Sequence, residues 1–197
     1  MVLPDALLIA ALSIFLFLTL CGVLVLVIVS LRKPATVPLA VASGLIVLCA
    51  LVLSVFPLNV PTIVGLMLAL LGAAAAILGG DPVTRRVLDI ATHGRVADGE
   101  NGGILLRAPA PPGATTAAPV REVLRGGVTI GYLERIGVTL AVIAGFPEAI
   151  AVVVAVKSVG RFSELAAAEA RERFIIGTLA SLLWASVASG VVRLAIV

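Results

Sequence analysis

The sequence predicts an all-α fold: a polytopic transmembrane helix bundle with about five hydrophobic segments, the fourth broken or kinked at Pro147. Three observations predict it. Hydrophobic residues make up 61% of the chain and charged residues 13%, about half the ~25% charge of an ordinary water-facing domain, so lipid must be the solvent for most of the chain. The apolar residues come in runs that match the roughly 20 residues a helix needs to cross a hydrocarbon core. The charges collect between those runs.

Ala6 to Leu31 is an apolar run of 26 residues, interrupted only by Ser13, Thr19, Gly22 and Ser30. A signal peptide has a basic start and a shorter apolar core; "MVLPDALL" offers neither, and the run reads as a spanning helix. Arg32, Lys33 and Pro34 stop it, and the basic pair puts that end in the cytoplasm and the N-terminus outside. Ala35 to Phe56 is the second span. "PLNVP", Pro57 to Pro61, is a tight turn, and Pro61 suits the first turn of the next helix, where its missing N–H costs nothing. The third span, Thr62 to Leu78, is expected to end at Gly79-Gly80, with Asp81 and Pro82 capping and starting a new helix. That helix, "DPVTRRVLDIATHG", carries apolar residues at Val83, Val87, Leu88 and Ile90. The spacing predicts a short amphipathic helix at the cytoplasmic membrane surface, the side on which Arg85 and Arg86 place it.

From Gly94 to Gly127 the composition turns to Gly, Pro, Ala and Thr, which reads as a flexible loop with at most a short helix near Val120 to Leu124. Its "GENGG" matches no phosphate-cradling loop, and no GxGxxG or Walker spacing occurs in the chain. Val128 to Val156 and Phe174 to Ile196 are the last two apolar segments. "SELAAAEARER" between them is helical by propensity, with Glu169 and Arg173 at i,i+4. The chain thus divides into a three-helix membrane region at 1–80, a cytoplasmic amphipathic helix and flexible loop at 81–128, and a C-terminal membrane region at 129–197.

Helices in lipid associate through small residues that let backbones approach. Gly177, Ser181, Ala185 and Ser189 stand at i+4 spacing in the last span. Gly137, Ala141, Gly145 and Ala149 do so in the fourth, and Gly65, Ala69 and Ala73 in the third. These stripes predict a tight bundle, within one chain or between subunits. Trp184 lies in mid-span, away from an interface, so its N–H is expected to find a partner inside the bundle.

The fourth segment holds the chemistry. In "GFPEAIAVVVAVKSVGRF", Gly145 is a residue type that ends helices, Pro147 one that begins them, and Glu148 is favoured by the positive end of a helix dipole. Two architectures fit: one long helix kinked at Pro147 with Glu148 near mid-bilayer, or a re-entrant hairpin with Gly145-Phe146-Pro147 at its tip. Arg121, Arg125 and Arg135 before the segment, and Lys157, Arg161, Arg171 and Arg173 after it, give both flanks a cytoplasmic look, as a hairpin requires. An acid at helix centre costs about 2.5–3.5 kcal/mol on insertion. Glu148 is therefore either a proton, cation or substrate site, or one half of an ion pair with Lys157, Arg135 or Arg193. Glu134 and Arg135 are expected at the membrane edge, snorkelling and pairing locally.

"IGYLERIGVTLAVIAGFPEAIAVVVAVKSVGRFSEL", followed by "ERFIIGTLASLLWA", resembles a group of uncharacterised bacterial, chiefly actinobacterial, integral membrane proteins. Their C-terminal halves share a "LER" start, a central "PE", a "VKS/VKG…R[FY]" exit and an "ERFIIGTLAS" opening of the last span. The resemblance covers Ile130 to Ala195. It implies attention to Glu134, Arg135, Pro147, Glu148, Lys157, Ser158, Arg161, Glu172, Arg173 and Thr178, and it implies no reaction.

Other chemistry is scarce. Fourteen Lys and Arg against eleven Asp and Glu is an excess that topology-fixing loop charges supply, and without basic runs interleaved with aromatics no nucleic-acid partner is expected. There is no CxxC or HExxH, and His93 reads as a solvated loop histidine. Cys21 and Cys49 lie in apolar runs, where free Cys acts as a small hydrophobe; a disulfide or metal pair between adjacent spans is the alternative. No catalytic residue, metal or cofactor is expected. The candidates for an ion, proton or polar site are Glu148, Glu134, Arg135, Lys157, Ser158 and Arg161. Three functions stay open. The chain is an oligomeric channel or transporter-like protein with Glu148 in a proton or cation pathway, or a non-catalytic accessory or scaffold subunit of a larger membrane complex. Or it is a membrane enzyme acting on a lipid-linked substrate, although the expected parts of an active site are missing. The expected setting is the bacterial cytoplasmic (inner) membrane. The expected partners are the bilayer, other copies of the chain, or a larger complex.

Overall fold

The computed structural model describes residues 2–32, 34–56, 60–92, 104–107, 120–123, 126–160 and 168–196. Six helices form: α1 (Val2–Arg32), α2 (Thr36–Val55), α3 (Thr62–Thr92), α4 (Gly127–Ala144), α5 (Ala149–Gly160) and α6 (Ala168–Ile196). Five of them, all but α5, are long and apolar enough to cross a membrane. The fold is the all-α bundle that composition predicts. In lipid every backbone N–H and C=O must find its partner within its own segment, so runs rich in Val and Ile, weak helix formers in water, become helices.

α3 departs from expectation. It does not stop at Gly79-Gly80. It runs for 31 residues through both glycines and Pro82, and it absorbs the amphipathic helix expected to start at Asp81. Glycine costs a helix about 1 kcal/mol relative to Ala in water, less than leaving several backbone groups unpaired in a bundle. Asp81, expected as a cap, instead pairs with Arg85 at 2.8 Å across one turn. Val120–Val123 also differs: it is a strand, β2, rather than a short helix. It pairs antiparallel with β1 (Ile104–Arg107), Ile104 opposite Val123 and Arg107 opposite Val120. Two valines in a four-residue segment favour the extended state. His93, "GENGG" and most of the Pro-rich stretch lie outside the described residues.

The fourth apolar segment is broken, and the break is a reversal. Gly145 takes a left-handed φ of 76°, open to glycine at little cost. The Phe146 N–H donates to the Ala141 carbonyl at 2.8 Å and the Gly145 N–H to the Val142 carbonyl at 3.0 Å, the paired bonds of a Schellman stop. After Pro147 the chain restarts with tight bonds from the N–H groups of Ala149, Ile150 and Ala151 to the carbonyls three residues back. α5 then returns along α4. Val153 lies against Gly137 and Lys157 against Glu134, pairings that mirror about the turn. Of the two architectures, the helical hairpin is the one that forms.

α6 runs antiparallel to α3: Gly65 lies by Ile196, Gly79 by Trp184, and Gly177 by Thr84 and Leu88. α4 runs parallel to α6, with Arg135 bonded to Ser181 and Ile143 to Arg193. The carbonyl of Leu31, near the end of α1, accepts a bond from Arg85. One end of the bundle therefore gathers the C-terminal ends of α1 and α3 and the start of α6, with Arg32, Arg85, Arg86 and Arg171. This is the basic end. The hairpin turn points to the other.

The core is built from Leu16, Leu20, Val23 and Val27 of α1, Ala42, Ile46, Cys49 and Leu53 of α2, Leu68, Ala75 and Ala76 of α3, and Trp184, Ala188, Val191 and Ala195 of α6. A second cluster joins Val138, Leu182 and Ala185 to Ile150, Val153 and Val154 of α5. On α3 the buried positions are Gly65, Leu68, Gly72, Ala75, Ala76, Gly79, Gly80 and Pro82, a face wider than one i+4 row. Ala69 and Ala73, from the expected i+4 stripe, are half-buried. Ser181, Ala185 and Ser189 of α6 and Ala141 of α4 are buried. The Trp184 indole N–H, as its mid-span position predicts, has a partner: it donates to the Ala75 carbonyl at 3.0 Å.

The hairpin has a topological consequence. A cysteine introduced at Ala168 is expected to react with a membrane-impermeant maleimide from the same face as one at Ala91, and from the opposite face to one at Thr62; all three positions are exposed. Labelling of Ala168→Cys from the Thr62 face would rule the hairpin out.

Candidate functional site: a layer of charges across the bundle

α4 carries Glu134 and Arg135 side by side at its middle. Adjacent helical residues point about 100° apart, so the two side chains enter different interfaces. Glu134 faces α5, where its Oε2 meets Lys157 Nζ at 2.6 Å. Lys157 also lies over the Phe174 ring at 5.3 Å. Arg135 faces α3 and α6. Its Nε donates to the Ile77 carbonyl at 2.6 Å and its Nη1 to Ser181 Oγ at 3.1 Å, and the Tyr132 ring stands 4.7 Å from its Cζ. Pro82 has no N–H for the Leu78 carbonyl, so α3 is already irregular where Arg135 takes the neighbouring carbonyl. Gly80 makes room for the Arg135 stem: a Cβ there would overlap Cδ.

The Asp81 and Glu134 carboxylates are both in electrostatic reach of Arg135. Asp81 pairs with Arg85, whose Nη2 donates to the Leu31 carbonyl at 2.6 Å. Lys157, Glu134, Arg135, Asp81 and Arg85 thus alternate in sign from α5 across α4 and α3 to α1. The arrangement is transverse to the helices. Lys157–Glu134 joins α5 to α4, Arg135 joins α4 to α3 and α6, and Arg85 joins α3 to α1, so the layer works as a staple. Beyond it, toward the hairpin turn, the interior is filled by Leu16, Leu20, Leu68, Trp184 and Val191.

This placement corrects two expectations. Glu134 and Arg135 do not sit at the membrane edge: they are 6% and 3% exposed. Their partners come from three other helices and are invisible to a local reading. Glu148 is neither in mid-bundle nor paired. It is exposed in the turn, level with Arg193 near the end of α6, and its carboxylate makes no ion pair among the described residues. Each cation proposed for it is engaged elsewhere: Lys157 with Glu134, Arg135 as above, and Arg193 through an Nη1 bond of 3.1 Å to the Ile143 carbonyl. Arg193 thereby meets the negative end of the α4 dipole. A Cβ at Gly145 would lie 2.6 Å from Arg193 Nη2, so that glycine is required by contact as well as by φ. The Lys157–Glu134 pair was open to a symmetry argument, since reflection about Gly145-Phe146 carries one position onto the other.

Ser158 is exposed and its hydroxyl donates to the Val154 carbonyl at 2.8 Å, an ordinary helix back-bond. Arg161 lies outside the described residues. Of the positions the resemblance singles out, Arg173 is buried and Glu172 exposed. Cys21 and Cys49 are free thiols. Among the described residues no three His, Cys, Asp or Glu side chains group as metal ligands. Comparison with protein-family models, curated proteins and solved structures finds no match to this chain.

Because Glu148 has no ion partner among the described residues, Glu148→Gln is expected to change stability by less than about 0.5 kcal/mol. Unfolding in a mixed-micelle SDS titration checks this; a loss above about 1 kcal/mol would restore a structural pair at that position.

Proposed function

We propose that this chain is a non-catalytic assembly subunit of the bacterial cytoplasmic membrane, a closed helical body on which other copies or other membrane proteins dock. The closure of the charged layer carries this reading. Glu134 and Arg135 each find a main partner within the layer, Lys157 for the one and the Ile77 carbonyl and Ser181 for the other, and the layer runs across the bundle rather than along it. The core on its other side is mainly apolar, with Thr139 and Ser189 as isolated buried hydroxyls, so a single copy offers no continuous row of charged groups from end to end. The positive-inside bias of Arg32, Arg85, Arg86 and Arg171 supports a cytoplasmic basic end and an external N-terminus.

Mild-detergent extraction from native membranes is the test. On this reading the chain runs as a stoichiometric complex larger than one copy, and the purified chain in proteoliposomes passes neither protons nor monovalent cations. A monodisperse single copy with pH-dependent flux would overturn it. An oligomeric channel or transporter-like protein is the second reading. The exposure of Glu148, unpaired among the described residues, favours it, since a ring of copies could bring those carboxylates to a shared axis. Loss of flux in Glu148→Gln proteoliposomes would decide for it.

A further inference from the structure

We infer that a narrow water-filled crevice enters the bundle from the basic end between α3, α4 and α6 and ends at Arg135, and that its resident ligand is water hydrogen-bonded to Arg135, Thr84 and Thr178. Three buried polar atoms point to it. Arg135 Nη2 belongs to a side chain 3% exposed and makes no hydrogen bond; nor do Thr84 Oγ1 and Thr178 Oγ1. The atoms come from three helices and share one level. Arg135 is anchored on Ser181, and its guanidinium reaches back beside Gly131, one turn toward the basic end. Thr178 lies one turn from Ser181 in that direction. Thr84 lies one turn from Gly80 in that direction too, and packs where α6 passes at Gly177.

Several other helix hydroxyls behave differently, although Ser13 Oγ on α1 and Thr139 Oγ1, one turn past Arg135 on α4, are unpartnered too. Thr19, Ser30, Ser43 and Thr92 each donate to the carbonyl four residues back, at 2.7–2.8 Å. That back-bond is the default for a hydroxyl on a helix with no other partner. Thr84 and Thr178 forgo it, in the same layer where a guanidinium N–H is left over. A buried unsatisfied group costs about 1–3 kcal/mol, more when charged, and three such groups at one level are what a bound water relieves, since it makes about three bonds. Water also fits the local charge: Asp81 and Glu134 disfavour an anion beside Arg135, and Arg135 itself disfavours a cation. The crevice is blind. Past Arg135 the α3–α6 seam is closed by Trp184 lying on Gly79 and bonded to Ala75. Hydration from one side leaves the proposed assembly role untouched.

Thiol accessibility tests this, because methanethiosulfonates react with the thiolate, which requires water. Thr178→Cys and Thr84→Cys are treated with the small ethylammonium reagent, and modification is located by mass spectrometry. Both are expected to react at least about tenfold faster than Leu179→Cys, which is 63% exposed on the outer face of α6, and only when reagent reaches the basic end. Rates equal to that of Leu179→Cys would overturn the inference. Native Cys49, 0% exposed, reports the fold: a variant in which it also reacts has opened and is set aside. The unsubstituted chain then decides. Tyr132, beside the Arg135 guanidinium, is expected to be oxidised by radiolytic hydroxyl radicals faster than Trp184; an equal or slower rate would overturn the inference as well.

Discussion

Lys157→Met is expected to destabilise the protein by about 3–5 kcal/mol, and Glu134→Gln in the same chain to recover most of that loss. The Lys157 and Glu134 side chains are 16% and 7% exposed, so removing the ammonium leaves a carboxylate in a low-dielectric interior with its other oxygen, Oε1, already without a partner. Removing both charges replaces the pair by groups that tolerate burial, and buried pairs exchanged for uncharged residues are often neutral. The double-mutant cycle isolates the coupling between two residues in contact. It is read by SDS unfolding of the four proteins at one pH. A Lys157→Met protein as stable as the wild type would mean that α5 does not hold Lys157 on α4.

Gly79→Leu is expected to prevent assembly of the bundle, with a loss of at least about 3 kcal/mol. Even a Cβ at Gly79 would fall within the Trp184 indole. The indole could move only by giving up its bond to the Ala75 carbonyl, worth about 1 kcal/mol net, and by opening the seam on which α3 and α6 pack. Gly44→Leu is the matched control, since nothing lies within 4 Å of its Cβ position. Yield of folded protein and size-exclusion profile separate the two. A Gly79→Leu protein that elutes and melts like Gly44→Leu would show that α3 and α6 do not approach as closely as described.

The spans are legible in the sequence because lipid leaves an apolar run few choices, and the reversal at Gly145 is legible because left-handed glycine and a following proline act locally. The continuity of α3 is not. Gly79-Gly80-Asp81-Pro82 is a run of stop and start signals whose weight comes from helices in water; here α6 and Arg135 supply the contacts that carry the helix through. The seam on α3 is misread in phase: the row through Gly65, Ala69 and Ala73 leaves the buried face after Gly65, while Gly72, Ala76 and Gly80 lie within it. The charged layer is the least legible part. Glu134 and Arg135 stand seven and eight residues into α4, a position that reads equally as a membrane edge or a mid-helix pair. Only Ile77, Lys157 and Ser181, distant in the chain, decide between them.

The charges at the centre of α4 also constrain how the chain is made. An acid or an arginine at the middle of a helix adds about 2.5–3.5 kcal/mol each to transfer from the translocation channel into lipid. α4, with one of each, is a poor candidate to leave the channel alone. When it emerges from the ribosome, α3 is already synthesised and can offer the Ile77 carbonyl and Asp81. Lys157 follows 23 residues behind Glu134, and Ser181 later still. Biogenesis is therefore expected to be ordered, α4 waiting at the mouth of the channel against α3 until α4 and α5 can leave sideways as a pair. A chain interrupted between Glu134 and Lys157 would leave α4 stranded there, available to quality-control proteases rather than to the bilayer.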